Sequence, residues 1–307
     1  MPLVTGKELL DKANSEGYAV GAFNINNMEI LQGVINAAEE MQAPVIIATS
    51  EGAIKYAGIE YLVTMVKTCA TMVGIPIALH LDHGRDLEVI RTCLDKGYTS
   101  IMIDASHLPL EENIKETRRV VDLAHPQGIS VEAELGRLKG IEDTVSVEER
   151  DAILIDPEEA KRFVEFTQVD SLAPAIGTSH GAFKFKGEAT LDFKRLEKVK
   201  QLTGIPLVLH GASGVPQWIL DKVSTYGGKV SGAKGVPDEA ITKAISLGIN
   251  KINIDTDLRL ALLGAIRQVL QETPKEFDPR KILGPARDSI TKVVTEKIEL
   301  LGCKGKA

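Results

Sequence analysis

Short apolar runs rich in Val, Ile, Leu and Ala alternate along the chain with longer stretches of helical period, which predicts βα units around a parallel sheet. Eight runs read as strands: 19–24, 44–49, 76–82, 100–104, 130–134, 171–176, 206–210 and 249–254. Helical segments between them carry stop signals, with 86–96 before Gly97, 191–202 before Gly204 and 238–247 before Gly248. Proline at Pro44, Pro76 and Pro206 stands at strand starts, where the missing ladder donor is tolerated.

Each strand runs apolar and then finishes polar. The ends carry Asn24, Ser50, Asp82 with His83, Asp104, Glu134, the segment 177–180, His210, and Asn253 with Asp255. In a closed (β/α)8 barrel these ends meet on one rim, where active sites of that fold lie. A doubly wound sheet is the competing arrangement, but its first strand would feed a glycine-rich phosphate turn. Here that strand ends Phe23-Asn24-Ile25-Asn26, and no P-loop pattern appears. The expected fold is therefore α/β, a TIM barrel with an additional C-terminal helical segment.

The 307 residues exceed the roughly 250 typical of a barrel by no more than insertions and an extra helix supply, so residues 1–307 are expected to form one domain. Apolar residues make up 44% of the chain, enough for a large core. A net charge of -7 argues against general affinity for nucleic acid or acidic membranes, so anion-binding cations must be local. The longest apolar runs, such as 43–48, fall far short of the roughly 20 residues that span a bilayer. Residues 1–12 lack a signal-peptide profile, and Cys69, Cys93 and Cys303 are odd in number and widely spaced. A reducing cytoplasm is the expected location.

His83, His180 and His210 end the third, sixth and seventh strands, bringing three imidazoles to the rim. Three protein ligands leave the fourth zinc position open, as catalysis requires. Any one of them alone is more readily explained as structural, capping a strand or bonding a backbone carbonyl. His107 and His125 read as structural, and His80, on the same strand face as Asp82, as either core or support for a ligand. Asp82 is the best acid/base candidate, with orientation of a histidine as its alternative. Asp104 and Glu134 either hold a second or displaced metal or orient ligands.

Glycine-bearing turns at 177–181 and 210–214 suit a phosphate or a monovalent cation (Na+ or K+), although loop geometry alone also explains them. The eighth strand runs straight into a helix whose first amides suit a phosphate near Thr256, with Arg259 one turn on. The connection 136–156 is long for a barrel loop and reads as a lid or a surface insertion; Glu142 within it is placed to carry a proton on closure.

The segments Leu81-Asp-His-Gly84, Ala133-Glu-Leu-Gly136, Gly177-Thr-Ser-His-Gly181, Leu209-His-Gly-Ala-Ser213, Asn253-Ile-Asp-Thr-Asp257 and Asp278-Pro-Arg280 together resemble the class II fructose-1,6-bisphosphate aldolases, in order and over essentially the whole chain. The resemblance implies that His83, His180 and His210 bind a zinc ion acting as Lewis acid on the ketone of dihydroxyacetone phosphate. It makes Asp82 the acid/base at the hydroxyl of the broken bond and Glu142 the proton carrier at the nucleophilic carbon. Glu134 matches a metal-site residue, and Asp104 one that supports a second divalent ion.

For the substrate it implies Gly181, Lys184, Gly211, Ser213 and Thr256 around the triose phosphate, Asn253 and Asp255 beside the enediolate, and Asn24 and Ser50 nearby. Arg280 would reach the far phosphate from a neighbouring subunit, which implies a homodimer or homotetramer. The expected partners are small sugar phosphates, with no nucleic acid or membrane.

Tagatose-1,6-bisphosphate aldolases share the metal site, but the Asp255-Thr-Asp257 run and Lys184 look like the fructose branch. A class I aldolase would need a Schiff-base lysine late in the sixth strand, which ends Ala175-Ile-Gly-Thr-Ser-His180; Lys251 in the eighth has nothing around it in sequence that supports imine chemistry. A metal-dependent hydrolase lacks its usual His-x-His at the first strand. A non-catalytic sugar-phosphate binding barrel is the remaining rival, and it predicts lost site residues where all are present.

Overall fold

The structure is a computed structural model that describes residues 3–136, 139–142, 145–147, 154–177, 179–180, 191–230 and 236–307. Eight parallel strands close a barrel: β1 (Val20–Asn24), β2 (Val45–Ser50), β3 (Ile77–Gly84), β4 (Ser100–Ile103), β5 (Ser130–Leu135), β8 (Ser171–Pro174), β10 (Leu207–Leu209) and β11 (Ile249–Ile254). Closure comes from β1, which pairs with β2 on one side and β11 on the other. The eight runs expected from the sequence are these eight strands, with ends shifted by a few residues.

Helices follow the strands: α2 (Met28–Glu40), α3 (Glu51–Ala57), α4 (Ile59–Met72), α5 (Leu87–Lys96), α6 (Leu110–Ala124), α7 (Pro157–Thr167), α8 (Phe193–Thr203), α9 (Gln217–Thr225), α10 (Asp238–Ser246) and α11 (Thr256–Glu272). Their starts are capped where the sequence supplies short polar side chains. Asn27, Ser50, Asp86, Asp156 and Asp192 each accept a hydrogen bond from an amide in the first turn. Glycines Gly97 and Gly204 end α5 and α8 in the left-handed conformation, as their positions predict.

Two further helices complete the barrel. α1 (Gly6–Glu16) packs against β1, β3, β5 and β11 at the N-terminal end of the strands. The C-terminal helix α12 (Pro279–Leu301) lies against α2 and α11. The last residues then fold back, with the Gly305 and Ala307 amides donating to the carbonyls of Met41 and Gln42. No helix among the described residues is long and apolar enough to cross a membrane.

The connection after β5 contains two short strands that its polar composition hides. β6 (Lys139–Glu142) pairs antiparallel with β7 (Val145–Val147) and parallel with β9 (Ser179–His180). The loop carrying Glu142 is thereby joined by backbone pairing to the segment carrying His180, with Gly140 opposite His180.

Candidate metal centre

Asp82 and His83 are consecutive, and in a regular strand their side chains would point to opposite faces. The strand is not regular there: the register between β3 and β4 shifts between Leu81 and Gly84, and His83 has a φ of 87°. A bulge with a left-handed residue re-aims one side chain, so both groups serve the rim.

Asp82 is held from two sides. The Asn24 amide donates to its Oδ2 at 2.9 Å, and the Asn253 amide to its Oδ1 at 2.7 Å. The carbonyl oxygens of these two asparagines are buried and have no hydrogen-bond partner among the described residues, which leaves two acceptors beside the carboxylate.

His83 and His210 stand with ring centroids 4.6 Å apart. His83 Nε2 is 3.8 Å from Asp82 Oδ1, while its Nδ1 is 3.4 Å from Asp104 Oδ2 and 3.9 Å from Glu134 Oε2. His210 Nδ1 lies 3.0 Å from the same Glu134 oxygen. All five residues are buried. Two overlapping sets, Asp82 with His83 and His210, and His83 with Asp104 and Glu134, bring their donor atoms within 4.8 Å of one another.

The charge balance of this cluster favours a cation. Four buried carboxylates (Asp82, Asp104, Glu132, Glu134) face two cations, Arg85 and Lys251, among the described residues. Before the histidines are counted two negative charges are left over, and a buried charge must be paired or coordinate a metal. A proton on His210 meets part of that demand. Burial lowers the basicity of His210, but its bonds to Glu132 and Glu134 outweigh that and hold its pKa up at about 9. A divalent ion can replace that proton, and imidazole with carboxylate is a donor set suited to zinc.

Asp104 is less available than its place on the rim implies. Its carboxylate accepts from Arg85 through both Nε (2.8 Å) and Nη2, and from Ser106 Oγ at 2.7 Å. Burial alone would raise its pKa, yet His83 and Arg85 hold it well below the usual carboxylate range.

Other expected site residues fall at the same end of the barrel. Ser50 caps α3, its Oγ accepting from the Ala53 amide at 3.2 Å. Gly211 adopts a φ of 61° directly after His210, and Ser213 Oγ accepts from the Asp255 amide at 3.4 Å. Thr256 opens α11, and Arg259 Nε donates to Asp255 Oδ1 at 2.7 Å. Arg280 stands apart from them, with its side chain 88% exposed and bonded to Asp278. The side chains of His180 and Glu142, and residues Gly181 and Lys184, lie outside the described part of the structure.

Sequence reasoning missed two charged residues, Arg85 and Glu132, and left a third, Lys251, without a role. Arg85, just past the β3 end, neutralises Asp104. Glu132 and Lys251 form a buried ion pair at 2.7 Å inside the barrel. The available signal was period two: Glu132 precedes Glu134, and Lys251 precedes Asn253, each by one same-face position. Engaged by Glu132 and His80 and 1% exposed, Lys251 is closed off from imine chemistry. His80 belongs to this deeper layer, not to the rim. Burial and the Lys251 charge press its pKa down to about 3, so the ring is neutral.

A closed eight-stranded parallel barrel with buried imidazoles and carboxylates at the C-terminal ends of its strands defines a metal-dependent barrel enzyme. A family model described as class-II fructose-bisphosphate aldolase matches residues 4–306. A fructose-bisphosphate aldolase of Thermus caldophilus is 54% identical over 305 residues, covering 99% of this chain and 100% of the relative. One of Giardia intestinalis is 49% identical over 313 residues, covering 100% and 95%. The crystal structure of the YdjI aldolase from Escherichia coli K12 superposes with a TM-score of 0.79 at 35% identity, covering 99% of each chain. The chain belongs to the class II fructose-bisphosphate aldolases, metal-dependent lyases that cleave a carbon–carbon bond.

Proposed function

We propose that the protein cleaves fructose 1,6-bisphosphate reversibly to dihydroxyacetone phosphate and glyceraldehyde 3-phosphate, with zinc held by His83, His180 and His210. The observation that carries this reading is the buried cluster of His83, His210, Asp82 and Glu134, whose excess negative charge calls for a divalent ion. The ion supplies Lewis acidity at the substrate ketone and its neighbouring hydroxyl.

The protein's own groups do the rest. Asp82, fixed by Asn24 and Asn253, takes the proton from the hydroxyl next to the scissile bond. As that bond breaks, its electron pair passes toward the ketone, and the hydroxyl-bearing carbon leaves as an aldehyde. Glu142 then returns a proton to the carbon that was cleaved, which completes the triose phosphate. The β6–β9 pairing supports this role, since it ties the backbone around Glu142 to that of His180. The unpartnered oxygens of Asn24 and Asn253 accept from substrate hydroxyls.

Phosphate is held by the amides that open α11 at Thr256 and by the turns containing Gly181, Gly211 and Ser213, with Lys184 and Arg259 as local cations. Asp255 lines the triose site, and Ser50 lies beside it. A monovalent cation, Na+ or K+, sits at the glycine turns, and Asp104 with Glu134 offers a second divalent site. Residues 1–307 act as one barrel domain in the cytoplasm. The functional unit is a homodimer or homotetramer in which the exposed Arg280 reaches the far phosphate of a neighbouring subunit's site.

A coupled assay comparing fructose and tagatose bisphosphates, with and without chelator, tests the reading. Two triose phosphates from the fructose substrate, activity lost to chelator and regained with zinc or cobalt, is the expected result. Preference for the tagatose epimer corrects the substrate. Full activity in metal-free protein overturns the mechanism, and no cleavage of either sugar leaves a binding barrel.

A further inference from the structure

Beneath the rim lies a second polar layer. Side chains two positions apart on a strand share a face, so His80 lies below Asp82, Glu132 below Glu134 and Lys251 below Asn253. The three deeper residues are at most 2% exposed. They form one chain of contacts: Ser100 Oγ to His80 Nδ1 at 2.8 Å, His80 Nε2 to Lys251 Nζ at 3.1 Å, Lys251 Nζ to Glu132 Oε2 at 2.7 Å, and Glu132 Oε1 to His210 Nε2 at 2.9 Å.

The chemistry of donors and acceptors sets where the protons lie along this chain. An ammonium group can only donate, so His80 Nε2 accepts and the His80 proton sits on Nδ1, donating to Ser100. A carboxylate can only accept, so Glu132 takes one bond from Lys251 and one from His210. His210 therefore carries a proton on Nε2. Its Nδ1 donates in the same way to Glu134, and that is the proton a metal would displace.

We propose that Glu132 is a positioning residue for metal ligation: held by Lys251, which His80 braces in turn, it keeps a proton on His210 Nε2 and so leaves Nδ1 as the atom presented to the metal. This inference rests on His210 being a ligand, and it adds the reason why only one of its two nitrogens serves. Such outer partners of a ligating histidine set ring orientation and tautomer, and their loss typically weakens metal binding about 10–100-fold.

The Lys251–Glu132 bond provides for a rescue. In Glu132→Gln the side-chain amide has one oxygen and one NH2. Lys251 must take the oxygen, which turns the NH2 to His210 Nε2 and forces the ring proton onto Nδ1. Removing the lysine as well, in Glu132→Gln with Lys251→Met, frees the amide to turn its oxygen back to His210.

The test measures zinc affinity by chelator competition and the His210 ring by 15N NMR, with thermal unfolding of the metal-free proteins confirming that each variant folds. Zinc-loaded wild type should show His210 protonated on Nε2. Glu132→Gln should bind zinc about 10–100-fold more weakly, and the double variant should regain most of that loss. A purely structural role would leave the double variant no better than the single one, and that outcome overturns the proposal, as does unchanged zinc affinity in Glu132→Gln. If a variant does not fold, the wild-type spectrum decides, since zinc on Nε2 and a proton on Nδ1 contradict the proposal. Wild-type protein that binds no divalent ion fails the metal site itself, an outcome distinct from intact zinc binding with an indifferent Glu132.

Discussion

A left-handed backbone costs an ordinary residue about 1–2 kcal/mol, and His83 carries that cost at the point where the chain delivers two functional side chains in succession. The price is met by the surrounding barrel, which holds β3 through pairing with both β2 and β4. Glycine has no such penalty. Metal-free His83→Gly should therefore be more stable than metal-free His83→Ala by about 1 kcal/mol, read from denaturant midpoints, while both lose metal affinity. Equal stability would mean that the left-handed turn is absent. For Asp82, bonds from Asn24 and Asn253 fix a carboxylate at the reacting hydroxyl. Asp82→Ala should lower turnover by about 10^2-fold or more with zinc content unchanged, as measured by steady-state kinetics and metal analysis; unaltered turnover removes Asp82 from the chemistry.

The barrel itself was readable because its strands alternate with capped helices and end in polar residues, a pattern that local propensity and burial impose together. Asp82, His83 and His210 stood out as titratable groups at the ends of apolar runs. The elements that escaped notice are β6, β7 and β9, whose few residues lie in polar, glycine-rich sequence where no period can develop. Glu132 escaped, and Lys251 was given no role, for another reason: each is a charge inside a strand, and only the fold shows that they neutralise each other. Helix packing supplies a case where space decides. Gly33 on α2 faces α12, and a Cβ there would come within 2.6 Å of Ile290 Cγ2 and 3.0 Å of the Arg287 carbonyl oxygen. Helix propensity favours alanine by up to about 1 kcal/mol, but overpacking costs about 1–3 kcal/mol, and a backbone oxygen cannot move aside cheaply. Gly33→Ala should lower the urea midpoint with the slope unchanged, whereas a raised midpoint would show that α12 shifts freely.

Across the molecule, polarity is arranged in layers along the barrel axis. α1 packs at the N-terminal end of the strands, a neutral ion-paired layer of His80, Glu132 and Lys251 lies inside, and an acidic, imidazole-bearing layer faces the C-terminal rim. The overall charge of -7 gives no general attraction for a bisphosphate, so recruitment depends on the local cations and on the metal. Everything in the proposed chemistry therefore converges on where that ion sits. The most direct measurement is anomalous diffraction at the zinc edge from crystals of zinc-loaded protein. The strongest peak is expected at the rim, within about 2.0–2.1 Å of a nitrogen from each of His83, His180 and His210. No peak between these three side chains would contradict the proposed chemistry.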